Sequence, residues 1–126
     1  LGILLTNDFP HDCPKLLVES PSFLIQRNGM PLPHNSQEFH TLADCSGLVS
    51  ICHFVPGAWT NDNTLYQVFM KGRLWIEGYE GHLATGRNMD FYLRHQNWFY
   101  KRTSFHNIRK TARVSREIAN DIQLMD

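Results

Sequence analysis

Three cysteines and seven histidines hold most of the reactive chemistry of this chain. One cysteine, Cys52, stands inside the apolar run Gly47–Trp59, GLVSICHFVPGAW, with Trp59 seven residues further on. A thiolate is a nucleophile that takes an acyl group as a thioester and hands it on. Pro56-Gly57 breaks the run soon after Cys52, which puts the thiol in a shallow groove rather than deep in a sheet. The thioester is itself the activated species, so storing it needs no buried acid–base pair. Transfer to an incoming nucleophile gains from a donor aimed at the developing oxyanion. Backbone N–H groups near Cys52 and the side chains of His53, Asn61 and Asn63 are the candidates. Asp44, eight residues before Cys52, can orient or deprotonate an attacking amine, although a carboxylate cannot donate to an oxyanion.

The plainer readings stand beside these. A cysteine in an apolar strand is ordinarily a buried small hydrophobe. His53 follows Cys52 directly, so in an extended strand it points to the opposite face. Cys13 falls in a proline-flanked turn and Cys45 precedes Ser46-Gly47, so both are read as structural. The cysteines and histidines show no paired metal-ligand spacing, and no metal or cofactor is expected. With no phosphate-cradling glycine loop and no serine-hydrolase elbow, any adenylation falls to another protein.

The elements that must position Cys52 are legible as periods and breaks. Gly2–Thr6 and Lys15–Glu19 are short apolar runs of strand length. The segment Asn7–Pro14 between them holds two prolines and reads as an irregular turn. Ser22–Gln26 is expected as a third strand, closed by the turn signal Asn28-Gly29. Met30–Gln37 is loop, and Leu48–Val55 is a short extended segment. Leu65, Val68, Phe69, Gly72, Ile76, Tyr79 and Leu83 recur at spacings of three and four, one face of a long helix. Asn63 or Thr64 caps its start and Gly86 stops it. Asn88–His95 is a second short helix and Ser115–Met125 a third, with Trp98, Phe99 and Tyr100 read as packing residues between them. Strands first and helices after predict an α+β domain with an antiparallel sheet.

At 126 residues, with 42% hydrophobic and 19% charged residues, the chain is long enough for one domain with a real core. No apolar run approaches the ~20 residues of a membrane span, and no signal segment is visible. Three cysteines without close pairing argue against a disulfide framework and for a reducing compartment, hence a cytoplasmic protein. Net charge is zero, but Arg87–Arg116 carries eight basic residues against Asp90 alone. Such a stretch meets an acidic protein surface or nucleic-acid phosphates, or is a solvated helical face, and the sequence leaves these open.

Taken in order, the motifs resemble the ubiquitin-conjugating enzyme superfamily. Asp8-Phe9-Pro10 and Pro14-Lys15-Leu16 are similar to its acidic-aromatic-proline turn and the lysine opening the next strand. Phe39-His40, Gly47 and Ile51-Cys52 are similar to its His-Pro-Asn loop, glycine and Ile-Cys-Leu segment. Trp59, the polar turn Asn61–Asn63 and Thr64-Leu65 follow as the family's tryptophan, turn and helix start do. Leu74–Glu80 and His82–Gly86 look most like the divergent bacterial conjugating-enzyme-like proteins, encoded beside ubiquitin-like modifiers, activating enzymes and deconjugating metalloproteases.

The resemblance implies a conjugating-enzyme-like core over residues 1–87, an antiparallel meander sheet packed on helices. Residues 88–126 would be a basic helical extension of the same domain. It implies that Cys52 accepts a ubiquitin-like protein from an activating enzyme as a thioester and transfers it to a target. His40, Trp59, Pro10 and Pro14 would support the site. A deconjugating metalloprotease encoded nearby and a role in antiphage defence belong to the same expectation; nucleic acid and membrane do not.

The chain also departs from the family. Its first helix and first strand are absent, which implies a fragment or a partly unobserved chain, and that helix normally helps bind the activating enzyme. His40 is followed by Thr41 and Leu42 rather than proline and asparagine, and the family's asparagine helps the isopeptide step. Cys13 stands where the family has the first proline of a pair. The interval from His40 to Cys52 is slightly long. The missing asparagine leaves room for an inactive variant that binds a ubiquitin-like protein or peptide without chemistry. A nucleic-acid-binding module using the basic segment is a further alternative.

Overall fold

The structure is a computed structural model that describes residues 1–54 and 57–93. Val55 and Pro56, the Trp98–Tyr100 cluster, the helix expected over Ser115–Met125 and the basic stretch beyond residue 93 lie outside the described residues.

Within them the order is β1 (Gly2–Leu4), β2 (Lys15–Val18), β3 (Val49–Ile51), α1 (Leu65–Thr85) and α2 (Met89–Leu93). The fold is α+β, with three antiparallel strands in the order β1-β2-β3. Leu16 pairs with Ile3 on one side and Ile51 on the other, and Val18 pairs with Val49. A strand's side chains alternate between faces. Leu16, Val18, Val49 and Ile51 therefore share one face and enter the hydrophobic core.

The sheet is smaller than the apolar runs predict. Ser22–Gln26 forms no strand. It enters a tight turn in which Gln26 N–H donates to Met30 O at 2.7 Å and Leu32 N–H to Leu24 O at 3.0 Å. Pro21, Pro31 and Pro33 remove the amide donors a longer ladder needs. β3 is likewise confined to Val49–Ile51. Ahead of it, Thr41–Cys45 folds back along Leu48–Ile51 as a narrow hairpin, closed by reciprocal bonds between Cys45 and Leu48. Ser46 and Gly47 at its tip both have positive φ, at 53° and 81°, as a two-residue turn of this kind requires.

Thr64 is the α1 cap. Its hydroxyl accepts from Gln67 N–H while Gln67 Oε1 accepts from Thr64 N–H, a complete capping box. Gly86 ends the helix at φ 82°, donating its N–H to His82 O.

The buried face of α1 is rotated from the one that apolar spacing predicts. Val68, Lys71, Trp75, Gly78 and His82 form its centre, while Phe69 and Leu83 are exposed. The helix turns inward the side chains that can reach backbone carbonyls. Lys71 Nζ donates to His53 O at 2.9 Å, Trp75 Nε1 to Phe39 O at 2.8 Å, and Tyr79 OH to Ile25 O at 2.6 Å. His82 Nδ1 donates to Arg87 O at 2.8 Å and its Nε2 accepts from Arg27 N–H at 3.1 Å. With so little sheet among the described residues, loop carbonyls must be satisfied some other way, and α1 supplies donors.

α2 packs on α1. Leu93 lies so close to Gly78 that an added Cβ there would sit 3.4 Å from it, and Tyr92 OH shares a 2.8 Å hydrogen bond with Thr85 Oγ1. Met89, Tyr92 and Leu93 are buried in the same core as the sheet, so packing continues across the expected boundary at residue 87.

Trp75→Ala removes a buried ring and leaves Phe39 O unpaired, whereas Thr64→Ala removes only a cap. We expect losses of about 3–5 kcal/mol for the first and about 1 kcal/mol for the second, read as shifts in the urea unfolding midpoint.

Candidate functional site

Cys52 lies one residue past the end of β3. Its backbone N–H donates to His40 O at 2.9 Å, which holds the start of the following loop against the hairpin. Its thiol is half-buried. His40, on the facing arm, is buried with φ 51°, a left-handed conformation uncommon for a residue with a side chain. Its Nε2 lies 2.8 Å from Asp90 Oδ1, and Asp90 N–H donates to Glu38 O. α2 therefore anchors the arm that Cys52 leans on.

The loop after Cys52 is fixed from the other side. Trp59 Nε1 donates to Pro10 O at 2.9 Å, and the Trp59 ring meets Phe54 edge to face at 5.1 Å. This draws the irregular turn before β2 onto the segment that follows the cysteine. Pro10 follows a cis peptide bond at the surface, and Pro14 is buried at the entrance to β2. Of the four expected supporting residues, His40 bonds Cys52 directly through its backbone carbonyl, while Trp59 and Pro10 bond each other.

The same turn delivers Cys13. Its Sγ is 3.6 Å from His53 Nε2 and 3.5 Å from Pro14 O. His53 is 3% exposed, and its Nδ1 lies 3.0 Å from Ile51 O. The Ile51 carbonyl faces Nδ1 and the Pro14 carbonyl is a second acceptor beside the ring, so the ring proton has a carbonyl partner on either side. Burial holds the His53 pKa below the usual value; the Ile51 carbonyl opposes this, the Lys71 charge adds to it, and the Pro14 carbonyl opposes it. The ring is therefore neutral near pH 7.

Lys71 is the local cation. It is 2% exposed, its Nζ bonds His53 O, and the ammonium lies 4.0 Å from the centre of the Phe54 ring, a cation–π contact. Burial pushes the Cys52 thiol up from the usual cysteine value and the Lys71 charge pulls it back. The Cys13 thiol is pushed up to about 11 by burial, against the pull of Lys71 and with a push from Cys52. Burial outweighs the lysine at both, so both are thiols at neutral pH.

The remaining candidates lie elsewhere. Asp44 Oδ2 accepts Gly47 N–H at 3.1 Å inside the hairpin turn. Cys52 is at the open end of that hairpin, on the order of 10 Å along the arm at about 3.3 Å per residue, so the fold does not bring this carboxylate to the thiol. Asn63 is buried, and its Nδ2 donates to Thr60 O at 3.3 Å and Thr60 Oγ1 at 3.4 Å; its amide closes its own turn rather than facing an oxyanion. Asn61 is exposed in the same turn. Cys45 sits at the hairpin tip. Sequence reading missed Cys13 and Lys71. Cys13 was masked by its prolines, and Lys71 by its charge, which is ordinarily the mark of a solvated helix position.

No group of three or more metal-ligating side chains gathers among the described residues, and no described helix is long and apolar enough to cross a membrane. A cleft of about 450 Å³ lies toward the far end of α1, lined in part by Arg27, Glu38, His82 and Asn88. No protein-family model matches the chain, and neither the curated proteins nor the solved structures contain a significant match. The likeness to conjugating enzymes therefore rests on the order of motifs in the sequence.

Two outcomes test these electrostatics. Lys71→Met removes a charge that lowers the Cys52 pKa, so iodoacetamide should label Cys52 more slowly at pH 8 than in the unaltered chain. His53 is held neutral when folded and takes its proton near 6.5 when unfolded, so its contribution to stability is present above that pH and is lost as pH falls through it. Urea midpoints between pH 7.5 and 5.5 should fall, and fall less in His53→Gln.

Proposed function

We propose that this chain is a conjugating-enzyme-like carrier that holds a ubiquitin-like protein as a thioester on Cys52. The observation that carries the reading is the setting of Cys52: a half-buried thiol just beyond a strand end, with Trp59 and His40 fixing the chain on either side of it. A thiol there is reachable by the flexible C-terminus of a protein donor, and the ties on either side would help position the bound carbonyl. The donor would be a ubiquitin-like protein already joined to an activating enzyme, and transfer would proceed by thioester exchange. Lys71 lowers the cost of forming the Cys52 thiolate, which is both the attacking group in loading and the leaving group in discharge. Backbone N–H groups beside Cys52 are candidates to meet the oxyanion, whereas the Asn63 amide is engaged in its own turn.

A second reading has its own support. Burial raises the Cys52 pKa and the Asn63 amide is engaged in its own turn, which suits a binding module that retains the fold and grips a ubiquitin-like protein without chemistry.

The test mixes the protein with its ubiquitin-like partner, the activating enzyme and ATP, and looks on a non-reducing gel. An adduct that thiol reagent removes, absent from Cys52→Ala, is the expected outcome. Binding of the two proteins without any such adduct favours the binding module.

A further inference from the structure

We propose that the outward face of α1 is the seat of this chain's own segment Val114–Met125, docked there as an amphipathic helix. The inference is independent of any chemistry at Cys52.

The seat is a row of apolar side chains. Phe69, Ile76 and Leu83 recur every seven residues along α1. Seven residues fall within about 20° of two full helical turns, so the three lie nearly parallel to the helix axis. Phe69 is 44% exposed and Leu83 37%, Ile76 is partly buried, and Tyr66, one turn before Phe69, is 49% exposed. Single exposed apolar residues are ordinary on a protein surface, but an aligned row marks an interaction face. Phe69, Ile76 and Leu83 also belong to the apolar period that the sequence assigns to burial. The sheet and the loops take the adjoining face instead, centred on Lys71 and Trp75, and leave this row to another occupant.

The rest of the chain supplies one. Val114, Ile118, Ile122 and Met125 stand at spacings of four, four and three, one face of a helix. A helix from Val114 to Met125 spans about 16 Å, and the row from Phe69 to Leu83 spans about 21 Å, so the first fits on the second. The connection is long enough. Leu93 packs against α1 at Gly78, and the intervening residues 94–113 reach as far as about 66 Å when fully extended.

Charge favours the same pairing. Residues 94–126 hold seven Lys and Arg against three acidic residues, whereas the chain ahead of them holds five against nine. Opposite net charges draw the segment onto the domain. Beside the row, Arg73 is exposed, and Glu117 and Asp121 adjoin Ile118 and Ile122 in the segment, so the one cationic side chain there has carboxylates to meet. Attachment to the same chain gives the segment an effective concentration on the order of millimolar, which a second copy or a foreign helix must exceed to take its place.

The test uses the full chain with the photoreactive residue benzoylphenylalanine in place of Phe69. After irradiation and digestion, we expect an adduct that joins this position to a peptide from Val114–Met125 of the same chain, in a yield that dilution does not change. The adduct should be lost when Ile118→Asp and Ile122→Asp are combined. A second measurement needs no photoreactive group. When Phe69→Ser and Leu83→Ser are combined, the amides of residues 115–125 should exchange with deuterium several-fold faster, while those of buried Leu74 and Trp75 keep their protection. Both substituted residues are exposed, so the core keeps its side chains. The proposal is overturned if the adduct joins two chains, if none forms with residues 114–125, or if exchange over 115–125 is the same in the combined variant as in the unaltered chain.

Discussion

The rest of the structure depends on the inward row of donors along α1. Only ten described residues lie in strands, so most of the chain ahead of α1 has no ladder to satisfy its backbone. Lys71, Trp75 and Tyr79 follow one another at helical spacing, and each donates to a carbonyl in a different irregular segment. His82 adds a fourth tie, to the Asn28 turn and the helix end. A buried carbonyl left without a partner costs about 1–3 kcal/mol, so the row decides where these loops can rest. The rotation of the helix follows: the face that buries is the one that carries donors, even at the expense of exposing Phe69 and Leu83.

Lys71 binds this structural role to the thiols. Its methylene stem is buried with the core, its ammonium holds His53 O, and its charge reaches both Cys13 and Cys52. A cation in such a position is costly to desolvate, and the Phe54 ring and the carbonyl offset part of that cost. Burial nonetheless wins over the cation at both sulfurs. The cysteines are stored as thiols and ionise only in a minority of molecules, an arrangement that suits a nucleophile called on by a docked partner better than one open to any passing electrophile.

The Cys13–His53 contact is the other consequence of how the turn before β2 is placed. Trp59 fixes the turn through Pro10, and the buried Pro14 leads directly into the central strand. Cys13 Sγ is thereby brought within 3.6 Å of His53 Nε2. Two residues that sequence spacing separates by forty positions thus become partners.

Much of the local structure is legible in the sequence because its causes are local. Thr64 and Gln67 cap α1 through bonds spanning three residues, Gly86 ends it because glycine enters the left-handed region without steric cost, and the alternation of Leu16 and Val18 sets which face of β2 is core. The prominence of Cys52 is also local, a thiol in an apolar run ahead of a break. What only the tertiary structure decided is what depends on distant partners. The hydrophobic period names one face of α1, but the carbonyls of Ile25, Phe39 and His53 choose another. Asp44 and Asn63 carry suitable groups at suitable spacing, yet turn bonds to Gly47 and Thr60 engage them. Ser22–Gln26 has the composition of a strand, yet prolines on both sides leave it no ladder. Lys71 and Cys13 enter the site because burial and hydrogen-bond satisfaction act through space, and a period along the chain does not record which carbonyl a side chain will find.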